Sequence, residues 1–113
     1  MQSTTLYTAE TRKSLSDFLR DLSQAAGDRG FVIHNEDKME MSHTFGQHGI
    51  EVAEGFDLHM IQICKPEKAA ASLSVNPERA ALMPKFITTF SKNGTLQIRI
   101  LVYGQDLIQE LID

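Results

Sequence analysis

The sequence has little cysteine, since Cys64 is the only one among 113 residues. A lone cysteine excludes an intrachain disulfide framework, and it also excludes a Cys-x-x-Cys redox or zinc pair. Any role of Cys64 is therefore solitary or intermolecular.

Clustered positive charge and long apolar runs are also missing. The eleven Lys and Arg are scattered, fifteen Asp and Glu outnumber them, and the net charge is −4. Nucleic acid is not expected as a partner, because neutralising a run of phosphates requires a basic stripe. No stretch approaches the roughly 18 apolar residues of a membrane span, and residues 1–12 lack the basic and apolar regions of a secretory signal. We therefore expect a cytoplasmic protein that does not contact the membrane.

The remaining composition is that of an ordinary globular protein. Apolar residues make up 42% of the chain and charged residues 23%, unlike the composition that keeps a chain disordered. A chain of this length is close to the commonest domain size and leaves too little sequence for a second core. We expect one domain over residues 1–113.

The clearest element is an amphipathic helix near the start of the chain. Its apolar positions recur at the spacing of one helical face, at Leu15, Phe18, Leu19, Leu22, Ala25 and Ala26. Ser14 followed by Asp17 resembles a capping box, and Gly27 and Gly30 can end the helix.

Three further helical segments are predicted with weaker signals. Pro66 opens a helix that Asn76-Pro77 breaks, a short helical turn covers Pro77–Leu82 before Pro84, and a final helix covers Gln105–Ile112. Residues 37–49 suit a short helix capped by Asp37, but their glycines also suit a mobile loop.

Five strands are predicted between these helices. They cover Thr4–Thr8, Phe31–Ile33, Phe56–Cys64, Phe86–Phe90 and Leu96–Val102. The third is apolar almost throughout, which indicates an interior strand, and Asn93-Gly94 predicts a tight hairpin between the last two. The order β-α-β-(α)-β-α-β-β-α favours an α+β fold, a mostly antiparallel sheet with helices packed on one face.

Several short motifs in this order resemble one known family. They are Gly30-Phe31-Val32-Ile33 after a capped helix, Cys64-Lys65-Pro66 at a strand end, Ala69 and Leu73, Asn76-Pro77, Met83-Pro84, and the hairpin. The stretch from about Ser14 to Val102 resembles the domain of unknown function 302 family, whose strand-end motif usually has Asn where this chain has Lys65. The resemblance implies a curved antiparallel sheet similar to the TATA-binding-protein-like α+β class, and homodimers. It implies no established reaction, and a shared fold does not import DNA binding.

Cys64 is the first candidate functional residue. It directly precedes a helix that begins at Pro66, and the helix dipole together with Lys65 would favour a thiolate. The alternative is a buried apolar filler, because cysteine is among the most buried residue types.

The histidines offer a metal site only if the fold brings them together. His43 and His48 are five residues apart, which does not align them on one helical face. His34 and His59 can converge with Cys64, but His59 and Cys64 face opposite sides of a regular strand unless a bulge intervenes. A transition metal or haem held by these residues is one alternative, and exposed histidine is the other.

Soft apolar residues form the third candidate site. Met39, Met41 and Phe45, together with Met60, can line an adaptable ligand pocket beneath a glycine-containing lid, or they can belong to the core.

No signature of an enzyme was found. The nucleophile elbow Gly-x-Ser-x-Gly and the glycine-rich phosphate loops are absent, and the pair Glu36 and Asp37 suits a solvated turn. We expect a non-catalytic homodimeric module that binds a small ligand or metal near Cys64. The alternative is a thiol-dependent enzyme or redox sensor that uses Cys64.

Overall fold

Five strands form one open antiparallel sheet in a computed structural model that describes residues 4–113. The strands are β1 (Thr4–Thr11), β2 (Val32–Ile33), β3 (His59–Cys64), β4 (Lys85–Lys92) and β5 (Thr95–Tyr103). Their order across the sheet is β1-β5-β4-β3-β2, and every pairing is antiparallel. The predicted α+β class and order of elements are confirmed.

Four α-helices and one 3₁₀ helix connect or follow these strands. They are α1 (Leu15–Asp28), α2 (Met41–Gln47), α3 (Pro66–Val75), the 3₁₀ helix Pro77–Leu82, and α4 (Gln105–Leu111). Between residues 4 and 113, none of these helices combines the length and apolar character needed to cross a bilayer.

The two faces of the sheet differ because neighbouring residues of a strand point to opposite sides. We call the covered face the one that carries the best buried apolar side chains, Ile61, Ile87 and Leu96. Helix α1 begins on this side, since Leu15 borders the same hollow as Leu96. We call the opposite side the open face.

The boundaries of α1 follow from local hydrogen bonds. Ser14 Oγ accepts a hydrogen bond from Asp17 N at 3.1 Å, which is the predicted cap. At the other end, Phe31 N donates to Ala26 O at 2.8 Å and Gly30 N donates to Gly27 O at 3.1 Å. This is the Schellman pattern, and it requires the positive φ of +80° that Gly30 adopts.

The hairpin between β4 and β5 also follows the sequence. Asn93 and Gly94 have φ values of 54° and 77°, the left-handed pair that a two-residue turn of this kind requires. The turn fixes a register in which Lys92 lies opposite Thr95 and Ile87 lies opposite Ile100.

The structure differs from the predictions around β2 and α2. Val32 is 41% exposed, so β2 is only partly buried at its edge of the sheet, although the apolar run Phe31–Ile33 is typical of a buried strand. The α2 helix begins at Met41 rather than near Asp37, because Met41 N donates to Leu58 O at 3.0 Å and residues 39–41 run beside β3. The side chain of Asn35, just after β2, also pairs with β3. It donates a hydrogen bond to Met60 O at 2.8 Å and accepts one from Gln62 N at 2.7 Å.

Candidate functional site

Cys64 ends β3 on the open face of the sheet. Its cross-strand partner is Val32, which is partly exposed. Cys64 itself is half-buried, whereas Ile61, on the covered face of the same strand, is completely buried. The thiol therefore lies on the side of the sheet away from the best buried residues.

The chain directly after Cys64 turns into α3. Pro66 is the first residue of the helix, and the preceding Lys65 makes no side-chain cap hydrogen bond. Lys65 Nζ lies 5.7 Å from the centroid of the Phe31 ring, a cation–π distance. The ammonium group therefore stays near the strand end, next in sequence to the thiol.

Met60 lies on the same face as Cys64, with Gln62 between them. In the register with β4, Met60 lies opposite Thr88 and Gln62 lies opposite Phe86. We call these side chains, together with Cys64 and Val32, the β3 strip. Because strand residues rise about 3.3 Å each, Met60 and Cys64 are roughly 13 Å apart along the strip.

The predicted methionine and phenylalanine cluster is only partly brought together. Met39 O accepts a hydrogen bond from Met60 N at 2.9 Å, so these two residues are neighbours. Phe45 instead meets Phe56, with ring centroids 6.1 Å apart. Met39, Met41 and Phe45 are all half-buried and lie towards the start of β3, at the other end from Cys64.

The three candidate metal ligands are not grouped as one set. His59 lies on the covered face opposite Thr89, so it faces away from Cys64 as the odd spacing predicted. His34 is exposed, and its backbone N donates to Gln62 O at 2.9 Å. Within residues 4–113, no three His, Cys, Asp or Glu side chains are grouped to hold a metal ion.

A shallow hollow of about 230 Å³ lies beside the Cys64 end of β3. It is bordered by Ser23, Ala26, Phe31, Val32, Ile33 and Glu36. Val32 of the β3 strip and Ile33 of the covered face both belong to this lining, so the hollow lies at the β2 edge of the sheet.

A second hollow, of about 280 Å³, lies at the opposite end of the strands. Both carboxylate oxygens of Asp57 accept from Ser91 N, at 3.0 and 3.1 Å, and His59 Nδ1 lies 2.8 Å from Asp57 O. Hydrogen bonds from Ser91, with a smaller contribution from the charge of His59, lower the pKa of Asp57 below its ordinary value. Arg12 and the start of α1 complete the lining.

Sequence reasoning missed the roles of Asp57, Ser91 and Asn35. The predicted strand Phe56–Cys64 included Asp57, and the predicted strand Phe86–Phe90 ended just before Ser91. The two meet only because β3 and β4 are adjacent, with His59 opposite Thr89. Asn35 carried no signal, because its partners Met60 and Gln62 lie 25 and 27 residues away.

The fold is that of a small α+β domain with an open antiparallel sheet. Comparison with known proteins identifies the family. A family model described as domain of unknown function DUF302 matches residues 7–107. The chain therefore belongs to the DUF302 family, as its motifs predicted.

One solved structure supports the same fold. The crystal structure of an uncharacterized conserved DUF302 protein from Bacillus stearothermophilus is similar with a TM-score of 0.69 and 18% sequence identity. The similarity covers 84% of this chain and 71% of that one. No curated protein matches the sequence.

Proposed function

We propose that this protein is a non-catalytic, homodimeric binding module of one domain, and that its small ligand lies along the β3 strip near Cys64. The observation that carries the proposal is the position of Cys64. The thiol is half-buried on the open face, beside partly exposed Val32, and does not fill the space around Ile61.

The composition of the β3 strip favours a largely apolar ligand. Met60, Phe86 and Val32 offer deformable or flat apolar surface, and the hollow beside Val32 adds room at one end. Methionine adapts to irregular ligands, and small-molecule sites combine apolar lining with few polar groups. Gln62, in the middle of the strip, supplies a polar group that could orient such a ligand.

A metal or haem has less support than an organic ligand. His59 and Cys64 lie on opposite faces of β3, so one ion cannot bind both without a change in the strand.

Met39 and Met41 extend the apolar surface at the end of the β3 strip away from Cys64, and Phe45 packs against Phe56 in the same segment.

The proposed site of action is the cytoplasm, where a lone thiol stays reduced. The homodimer is supported by the family resemblance and by the small number of well-buried apolar residues, which leaves surface for a second copy.

The ligand is tested by native mass spectrometry of freshly purified protein, together with an optical scan for haem or copper absorption. We expect additional mass on the wild-type chain and its loss in Met60→Lys, which places a charge in the β3 strip. Val75→Lys, at an exposed position on α3, should retain the mass. Protein that is unliganded under every growth and purification condition would contradict the proposal.

A thiol-dependent enzyme or redox sensor is the second candidate. The partial exposure of Cys64 and its position directly before α3 favour a reactive thiol.

Alkylation by iodoacetamide across pH separates the two candidates. A redox or catalytic thiol should react in the folded protein at neutral pH, faster than a free cysteine model compound. If alkylation occurs only after unfolding, the thiol function is ruled out, while the binding function is judged by mass spectrometry alone.

A further inference from the structure

The edge strand β1 is the part of the sheet with the least protein around it. Six of its eight residues are exposed, and the two partly buried ones are Thr5 and Thr11. Leu6 is 57% exposed and Tyr7 is 58% exposed, although they point to opposite faces of the sheet. A partner that covered only one face would leave one of these two side chains in water.

The outer edge of β1 also lacks the usual protection against pairing. Natural edge strands are shortened, bulged, or carry lysine or proline, because their free N–H and C=O groups attract another strand. β1 has eight residues, pairs without interruption from Thr4 to Thr11, and carries Glu10 as its single charge. The other edge, β2, has two residues and is continued by the Asn35 hydrogen bonds.

The surface area of the chain indicates how much a partner could cover. The accessible surface is 8065 Å², whereas a folded monomer of this mass is expected to expose about 6,200 Å². The Cα radius of gyration is 15.8 Å, against about 13 Å for a compact domain of this length. The excess surface is larger than the roughly 800 Å² that each partner buries in a standard interface.

We propose that two copies of this chain pair through β1, antiparallel about a two-fold axis, so that the two five-stranded sheets become one ten-stranded sheet. The inference deepens the proposed homodimer by naming its interface. Strand addition at the edge places partner side chains beside both faces, so it covers Leu6 on one side and Tyr7 on the other.

Symmetry and charge favour the antiparallel arrangement. A two-fold axis makes the same patch serve both subunits, so one exposed edge is sufficient. Pairing in which Tyr7 lies opposite its own copy sets Leu6 opposite Thr8 and Glu10 opposite Thr4, so that opposite side chains share a face of the sheet. The two Glu10 carboxylates then lie roughly 20 Å apart along the strands, beyond a Debye length at physiological salt.

The interface is tested with opposite charges at one position. Tyr7→Lys and Tyr7→Glu each bring two like charges together near the two-fold axis. We expect sedimentation equilibrium to show dimeric wild type, at least tenfold weaker self-association for each variant alone, and recovery of dimer in an equimolar mixture of the two. Val75→Lys, which adds the same charge on α3, should remain dimeric.

The possible results separate the β1 interface, the homodimer and the binding function. A wild-type chain that stays monomeric at about 100 µM, ten to a hundred times the dissociation constant of an ordinary dimer, overturns the β1 interface and the homodimer together. A dimer that survives both Tyr7 substitutions overturns only the β1 interface. Retention of the small ligand by the Tyr7 variants, read by mass spectrometry, judges the binding function separately.

Hydrogen exchange provides a second measurement if the Tyr7 variants do not fold. Amides of residues 4–11 in the wild type should exchange more slowly as protein concentration rises, while amides of α3 should not respond. Equal exchange at all concentrations contradicts pairing between copies, and protection that appears only when another protein is added would indicate a foreign strand instead.

Discussion

Thr89 lies in the middle of β4 on the covered face and is completely buried. Its cross-strand partners are His59 and Ile98. Over residues 4–113, Thr89 Oγ1 is the buried side-chain oxygen without a hydrogen-bond partner. A buried hydroxyl without a partner loses its bonds to water and gains nothing in return.

Replacing Thr89 with valine should therefore stabilise the protein. Thr89→Val keeps the branched shape and removes the unsatisfied hydroxyl, which we expect to raise the free energy of unfolding by about 1 kcal/mol. Thr88→Val, one residue away on the open face and partly exposed, is the matched control and should change it by less than about 0.5 kcal/mol. Urea unfolding measures both, and a destabilised Thr89→Val would mean that the hydroxyl has a partner in solution.

Asp57 links stability to pH through its hydrogen bonds from Ser91. Its pKa in the folded protein is lower than the ordinary value of 3.8. Its contribution is therefore fully present above pH 3.8 and is lost as the pH falls through the lower folded pKa.

Asp57→Asn should show this dependence directly. Near pH 7 we expect the substitution to cost on the order of 1 kcal/mol, a discounted figure because the carboxylate is close to solvent. The difference from wild type should shrink as the pH falls below 3.8, which urea unfolding between pH 3 and 7 will detect. A constant difference across that range would show that the charge of Asp57 is not involved, and exposed Asp37→Asn serves as control.

At the scale of elements, features determined by neighbours in sequence were predictable. The cap at Ser14, the end of α1 and the turn at Asn93-Gly94 all depend on residues within a few positions. The predicted start of α2 was wrong because the backbone N of Met41 donates a hydrogen bond to Leu58 O, which lies in another segment of the chain. The site was predictable to the same extent: the opposite orientations of His59 and Cys64 follow from strand parity, but the meeting of Asp57 and Ser91 does not.

The two glycines near the end of α1 should respond to alanine in opposite directions. Gly30 adopts a φ of +80°, so Gly30→Ala should lower the free energy of unfolding by roughly 1 to 2 kcal/mol. Gly27 lies within the helix with no atom within 4 Å of an added Cβ, so Gly27→Ala should raise it by about 0.5 kcal/mol. Thermal unfolding of the pair tests the assignment, and a stabilising Gly30→Ala would contradict the Schellman ending.

At the scale of the whole molecule, the sheet has surface that its own helices leave uncovered. Sequence patterns predicted which residues alternate along a strand, but they could not show that Leu6 and Tyr7 would both stay exposed. Their exposure follows from the position of β1 at the edge of the sheet, where no other strand of residues 4–113 lies on its outer side.

A dimer that contributes to stability makes unfolding depend on concentration. We expect the melting temperature of the wild type to rise by about 3 °C for each tenfold increase in protein concentration, because unfolding then releases two chains. Calorimetry from about 5 to 500 µM, on both sides of a typical micromolar dissociation constant, covers the useful range. Tyr7→Lys should remove the dependence, and a melting temperature of the wild type that is independent of concentration argues against any dimer.

The pairing of β1 with β5 also affects how the chain is made. Thr4 lies opposite Tyr103 and Thr11 lies opposite Leu96, so β1 has no partner strand until residues 96–103 have left the ribosome. Contacts so distant in sequence form slowly, and an unpaired strand is open to aggregation while it waits. The strand proposed to join two folded molecules is thus also the one that stays unpaired while residues 12–95 are synthesised.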